Sequence, residues 1–120
     1  MSTPPSETDL LRALQLDATQ RGLRLFRNNC GAFRKPDGAV LRYGVGSPGG
    51  SDLIGWTPHV VTATDVGRTL AVFTSVEGKR LPRRPTVDQM RFLEAVDAAG
   101  GLTCVAYHVD DLAVMLKLRR

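Results

Sequence analysis

Glu77-Gly78-Lys79 places a carboxylate and an amine two residues apart, a spacing that in a β-strand projects both side chains from one face. Upstream, Gly50-Ser51-Asp52 leads a second acid into the apolar run Leu53-Ile54-Gly55-Trp56. With Asp52 alongside Glu77, the two carboxylates and the backbone carbonyl of Gly78 form a set of hard oxygen donors. Such a set suits Mg2+ or Mn2+, with water completing the shell. A cation held there lowers the pKa of bound water and neutralises the charge that develops when a phosphodiester is attacked. Lys79 would add a positive charge beside the reacting oxygens. Neighbouring carboxylates repel until a cation arrives, an arrangement more typical of a site than of a scaffold. The chemistry to expect is metal-assisted hydrolysis of a phosphodiester.

Each piece also has an ordinary structural explanation. A Glu-x-Lys pair is common on a solvated strand face, and an Asp after two glycines is an ordinary turn residue. It is their order that joins them: glycine turn, acid, apolar strand, turn, then a strand carrying the Glu and Lys. Glu7 lies three, four and seven residues before Leu10, Leu11 and Leu14, which aligns it with an apolar helical stripe. It is equally a carboxylate favoured at a helix N-terminus. Gln89 stands three residues after Thr86, completing a capping box, and shares the face of Phe92, Leu93 and Val96, so it is also expected to point inward at the helix start.

The basic residues extend the same theme. The chain has 120 residues and a formal net charge of +4, with arginine dominating the cations. That balance favours a polyanionic partner. Arg80, Arg83 and Arg84 follow Lys79 in a proline-stiffened loop, where they either contact phosphates or form a solvated basic loop. Arg27 and Asn29 precede the site and either contact DNA or brace the core. His59 and His108 are single histidines without ligand spacing. Cys30 and Cys104 are far apart, and both are expected to be reduced thiols of a cytoplasmic protein. No apolar run is long enough to span a bilayer, and no secretory leader is expected.

The elements that must position these residues can be outlined from caps and periodicity. Ser6-Glu7-Thr8-Asp9 opens a helix to about Arg21, ended by Gly22. Short strands are expected at Leu23 to Asn28 and Val40 to Tyr43, separated by a turn at Arg34-Lys35-Pro36-Asp37-Gly38. Gly44 to Gly50 formally matches GxGxxG, but no helix follows, so a phosphate approach or a tight bend into Asp52 is the better use. Asp52 to Val61 and Arg68 to Lys79 read as two strands joined near Asp65-Val66-Gly67. A helix from Thr86 to Gly100-Gly101, a strand from Leu102 to Tyr107 and a helix from Asp110 complete the order. The expectation is an α/β fold: a tail at residues 1–5, then one domain at 6–120 with a central mixed β-sheet flanked by helices.

Taken together, these segments resemble the VRR-NUC (virus-type replication-repair nuclease) domain of the PD-(D/E)xK nuclease superfamily. The likeness rests on Glu7, Phe26-Arg27-Asn28-Asn29-Cys30-Gly31, Gly50-Ser51-Asp52-Leu53-Ile54-Gly55, Val76-Glu77-Gly78-Lys79 and Asp88-Gln89-Met90-Arg91-Phe92-Leu93 followed by Gly100-Gly101. It covers roughly residues 6 to 112. The resemblance implies a restriction-endonuclease-like core, metal ligation by Asp52 and Glu77, a catalytic Lys79, Glu7 as an auxiliary acid, and Gln89 positioning water or Lys79. It further implies a phage-type replication or repair endonuclease, a homodimer acting on double-stranded or branched DNA such as flaps and Holliday junctions. Gly78 departs from the family, which usually has an apolar residue there; only its backbone is needed. A non-catalytic DNA-binding module, or a subunit of a DNA-processing complex, is the alternative.

Overall fold

A computed structural model describes residue 3 and residues 6–118. Apart from Thr3, the tail expected at residues 1–5 lies outside the described residues, as do Arg119 and Arg120. The chain is α/β, and its contacts cluster into two units, Met1–Pro58 and His59–Arg120.

The N-terminal unit begins with helix α1, Glu7–Gln20, whose first turn is capped by Ser6: its Oγ accepts the Asp9 N–H at 3.1 Å. Leu11 and Ala18, two turns apart on one face, are its buried residues. Gln15 lies between them and donates Nε2 to Leu25 O at 3.1 Å, tying the helix to strand β1, Arg24–Arg27. Strand β1 pairs antiparallel with β4, Leu53–Trp56, in the register Arg24↔Trp56 to Arg27↔Leu53. Phe26 and Trp56 are diagonal neighbours in that ladder, their ring centroids 5.4 Å apart and tilted by 55°. Gly55 is required by this pairing, because a Cβ there would collide with the Arg24 carbonyl.

Strands β2, Gly31–Arg34, and β3, Val40–Tyr43, form an antiparallel hairpin. Its turn is closed by Lys35 N donating to Ala39 O, and by Asp37 Oδ1 accepting from Ala39 N at 2.9 Å. Strand β2 is absent from the expectation above: Gly31-Ala32 carries little strand propensity, and cross-strand pairing with Val40–Tyr43 creates it.

The C-terminal unit starts with a 3-10 turn at Ala63–Asp65 and continues into strand β5, Thr74–Gly78. Helix α2, Val87–Ala98, then returns the chain to β6, Leu102–Ala106, which lies parallel to β5 in the register Thr74↔Leu102 to Gly78↔Ala106. Helix α3, Asp110–Leu118, follows. Leu93 and Val96 of α2 supply the buried apolar side chains of this unit.

The sheet architecture differs from the expected central mixed sheet. Among the described residues the strands form three two-stranded ladders, two antiparallel and one parallel. Nor do the runs from Asp52 and from Arg68 pair with one another. Strand β4 takes β1 and β5 takes β6, while Val60, Val61, Leu70 and Val72 between them are exposed and irregular.

Candidate functional site

Glu77 and Lys79 are brought together as their spacing requires. Lys79 Nζ lies 3.5 Å from Glu77 Oε1, and the two side chains are only 17% and 28% exposed respectively. Lys79 follows the last residue of β5 and keeps the ladder geometry, its N–H donating to Ala106 O at 3.0 Å. Glu77 pairs with Val105, which borders a cleft with Met90, Leu93 and Glu94 of α2. The acid and the amine therefore share the α2 face of the parallel ladder.

The Gly78 carbonyl follows from the same ladder. Phe73 O accepts from Leu102 N, and Lys79 N donates to Ala106 O, so the odd-numbered peptide groups of β5 face β6. Alternation turns the Gly78 carbonyl toward the other edge of β5. No strand covers that edge among the described residues.

Gln89 is held at the same end of the unit. Gly101 N donates to Val96 O and Leu102 N to Phe73 O, which sets the C-terminus of α2 beside the start of β5. The start of α2 therefore lies at the far end, where Glu77 and Lys79 sit. There Thr86 and Gln89 close a capping box: Gln89 Oε1 accepts the Thr86 N–H at 2.9 Å, and Thr86 Oγ1 accepts the Gln89 N–H at 3.1 Å. The side chain expected to point inward is thus half-buried and engaged, through its oxygen, by the helix terminus itself. Arg80, Arg83 and Arg84 are exposed in the loop between, with Arg83 N donating to Arg80 O.

Asp52, Glu7, Arg27 and Asn29 belong to the N-terminal unit. Asp52 is exposed and immediately precedes β4. Glu7 is the first residue of α1; although in line with Leu11 and Ala18, it is exposed at the helix start. Arg27 ends β1, and both it and Asn29 are exposed. Cys30 and Cys104 are free thiols, as expected. Burial, and secondarily Asp111, pushes the Cys104 thiol upward.

The residue between Arg27 and Asn29 does more than either. Asn28 Nδ2 donates to Val45 O at 2.8 Å and to Ser51 O at 3.0 Å, while its Oδ1 accepts the Val45 N–H at 2.9 Å. Its own backbone N–H donates to Asp52 O at 2.9 Å. The glycine-rich loop is thereby drawn into a tight bend against Asn28 and Cys30. Gly44 has φ +92° and a Cβ there would strike Cys30, while one at Gly50 would strike the Val45 carbonyl. Of the two uses expected for these glycines, the bend is the one observed. No local pattern marks this role, because the residues the short amide bridges lie 17 and 23 positions away in the chain.

A second cluster surrounds Asp65, which is buried. Its Oδ2 accepts the Thr62 N–H at 2.8 Å and meets His59 Nε2 at 2.8 Å, and its Oδ1 accepts from Arg68 Nη1 at 2.7 Å. These partners, the Thr62 N–H foremost and His59 next, hold the carboxyl at about 2 against the opposing effect of burial. His59 is therefore tied to a structural acid. Thr62-x-x-Asp65 is a capping-box pattern visible in the sequence.

No family model, curated protein or solved structure matches the chain. No helix among the described residues is long and apolar enough to cross a membrane.

Proposed function

We propose that this chain is a Mg2+- or Mn2+-dependent DNA endonuclease of the VRR-NUC type, built on a PD-(D/E)xK core and selective for branched or double-stranded DNA. The observation that carries the reading is the pairing of Lys79 with Glu77 on one partly sheltered strand face, at the end of the ladder where α2 begins. An amine and a carboxylate withdrawn from water at a strand terminus suit charge stabilisation better than solubility.

The donor chemistry fits a hard divalent ion. Among the described residues no cluster of three or more His, Cys, Asp or Glu side chains is placed to hold a metal. Within the C-terminal unit the Glu77 carboxylate and the Gly78 carbonyl are hard oxygen donors, with water filling the remaining positions as magnesium prefers, and Asp52 as a further ligand stands on the resemblance alone. When bound, the ion would supply an activated water and a counter-charge for the phosphate. Lys79 contributes a fixed cation beside the reacting oxygens, and Glu77 orients that amine. Gln89 offers the amide nitrogen that its capping bond leaves over, while an auxiliary role for Glu7 stands on the resemblance alone. Arg80, Arg83 and Arg84 supply phosphate contacts, with Arg27 and Asn29 as further candidates. A homodimer in the cytoplasm of a bacterial host would let two such sites cut both strands.

The deciding experiment is a cleavage panel of linear, nicked, flap and four-way-junction DNA with Mg2+, repeated with chelator and with Glu77→Ala. Cutting that vanishes in both controls supports the proposal. A protein that binds metal and never cuts any of these forms refutes it. The exposed Arg80–Arg84 loop favours one second reading, a DNA-binding module without catalysis, for which Asp52→Ala leaves DNA affinity intact and no cleavage exists to lose.

A further inference from the structure

The β2–β3 hairpin carries an aromatic surface that the proposed nuclease centre does not use. Gly31↔Tyr43 and Phe33↔Leu41 are alternate rungs of its ladder, so Phe33, Leu41 and Tyr43 share one face, with the two rungs roughly 7 Å apart. Phe33 is 52% exposed and Tyr43 50%. Among the described residues no third strand joins the hairpin. The Tyr43 ring reaches across the ladder into the space that a Gly31 side chain would fill. The ring is therefore seated on backbone while half of the residue stays open to solvent, and its position is set before any ligand arrives.

Charge decides what such a face would take. Across the hairpin the cations Arg34, Lys35 and Arg42 outnumber the acid Asp37, whose Oδ1 is already engaged by the Ala39 N–H. Lys35 follows Phe33 by two positions and leads the aromatic face into the turn, while Arg34 and Arg42 stand on the reverse face and add to the attracting field. A second copy of the chain is a poor match here, because a two-fold contact through this face would bring the same cations together. A polyanion with exposed flat rings fits both properties. Single-stranded nucleic acid is such a polymer, whereas in a duplex the base faces are already stacked on one another. We infer that the β2–β3 hairpin is a binding surface for single-stranded nucleic acid, with unpaired bases stacking on Tyr43 and Phe33 and a backbone phosphate meeting Lys35. The surface lies wholly within the N-terminal unit and does not depend on the nuclease reading.

The test is fluorescence anisotropy of a labelled oligodeoxythymidine added to the full chain with chelator present, so that no metal-dependent cutting intervenes. Phe33→Ala should weaken binding about 5- to 150-fold, the range expected when one stacked aromatic ring is removed. Phe33→Leu keeps the apolar bulk without the ring and should share the loss, while Phe33→Trp should bind at least as tightly as wild type. These two variants carry the test if the alanine variant fails to fold. Lys35→Ala should lower the slope of log affinity against log salt by about 0.7. Wild-type affinity in a folded Phe33→Ala protein, or full binding by Phe33→Leu, overturns the inference. So does a blunt duplex of the same length bound as tightly as the single strand. A dimer seen by sedimentation that Phe33→Ala dissociates, with oligonucleotide binding untouched, also overturns it and gives the face to a second copy. Each of these results leaves the cleavage chemistry proposed for Glu77 and Lys79 standing.

Discussion

Lys79 Nζ stands 3.5 Å from Glu77 Oε1, on the strand face that looks toward α2. Because the amine is mostly shielded, its charge acts at lower effective dielectric than a surface lysine would. Lys79→Ala is expected to reduce kcat for DNA cleavage by about 10²- to 10³-fold, the usual consequence of removing one preorganised charge-stabilising donor. DNA affinity should change little. Parallel cleavage and filter-binding titrations check this, and a variant that cuts at wild-type rate would remove Lys79 from the chemistry.

The capping role of Gln89 can be separated from the positioning role proposed for it. The cap uses the oxygen of its amide, leaving the nitrogen to donate. Gln89→Glu keeps an acceptor at the helix N-terminus and adds a favourable negative charge, so urea stability should hold. Thr86→Ala removes the reciprocal partner and should cost about 1 kcal/mol in urea unfolding. Cleavage by a stable Gln89→Glu protein should fall if the amide nitrogen orients water or Lys79. Full activity would leave Gln89 as a cap alone.

Asp65 gives the acid limb of stability a definite sign. Its carboxyl lies at about 2 in the folded chain, below its ordinary value, through the Thr62 N–H, His59 and Arg68. Between roughly pH 4 and pH 2 the unfolded chain binds the extra proton, so the stabilisation is complete above that window and disappears as pH falls through it. Asp65→Asn should flatten the dependence of the thermal midpoint on pH in that interval. An unchanged acid limb in the variant would contradict the assignment.

Arg83 and Arg84 are exposed between prolines in a loop beyond Lys79. If each meets a phosphate, replacing one with alanine should weaken binding to all DNA forms alike and lower the slope of log affinity against log salt by about 1. A loss confined to one DNA geometry would instead place the arginine in substrate selection.

The helices were legible because their ends are local chemistry. Ser6 and Thr86 stand at the N-caps they imply, and Gly100-Gly101 follows α2. The strands were harder, because partner choice is long-range. Val60, Val61, Leu70 and Val72 have the composition of strands yet lie exposed and unpaired by any ladder, while Gly31-Ala32 joins one. At the candidate site the Glu77–Lys79 face followed directly from period two. Gln89 stands at the helix turn its spacing implies, and the capping box it was expected to complete with Thr86 is formed. The importance of Asn28 lies in where Val45 and Ser51 come to rest, and no local pattern encodes that.

The two kinds of ladder also impose a timetable. The β2–β3 hairpin needs only the turn at Lys35 to Ala39 to close, an event of about 1–10 μs in chains of this kind. β5 and β6 run the same way, so they cannot zip together until α2 has carried the chain back along its full length. Pulsed hydrogen-exchange labelling during refolding should find the amides of Ala32 and Leu41 slowed before those of Glu77 and Cys104. The acid-amine pair would thus be among the last features to mature, settling only once β6 has joined β5.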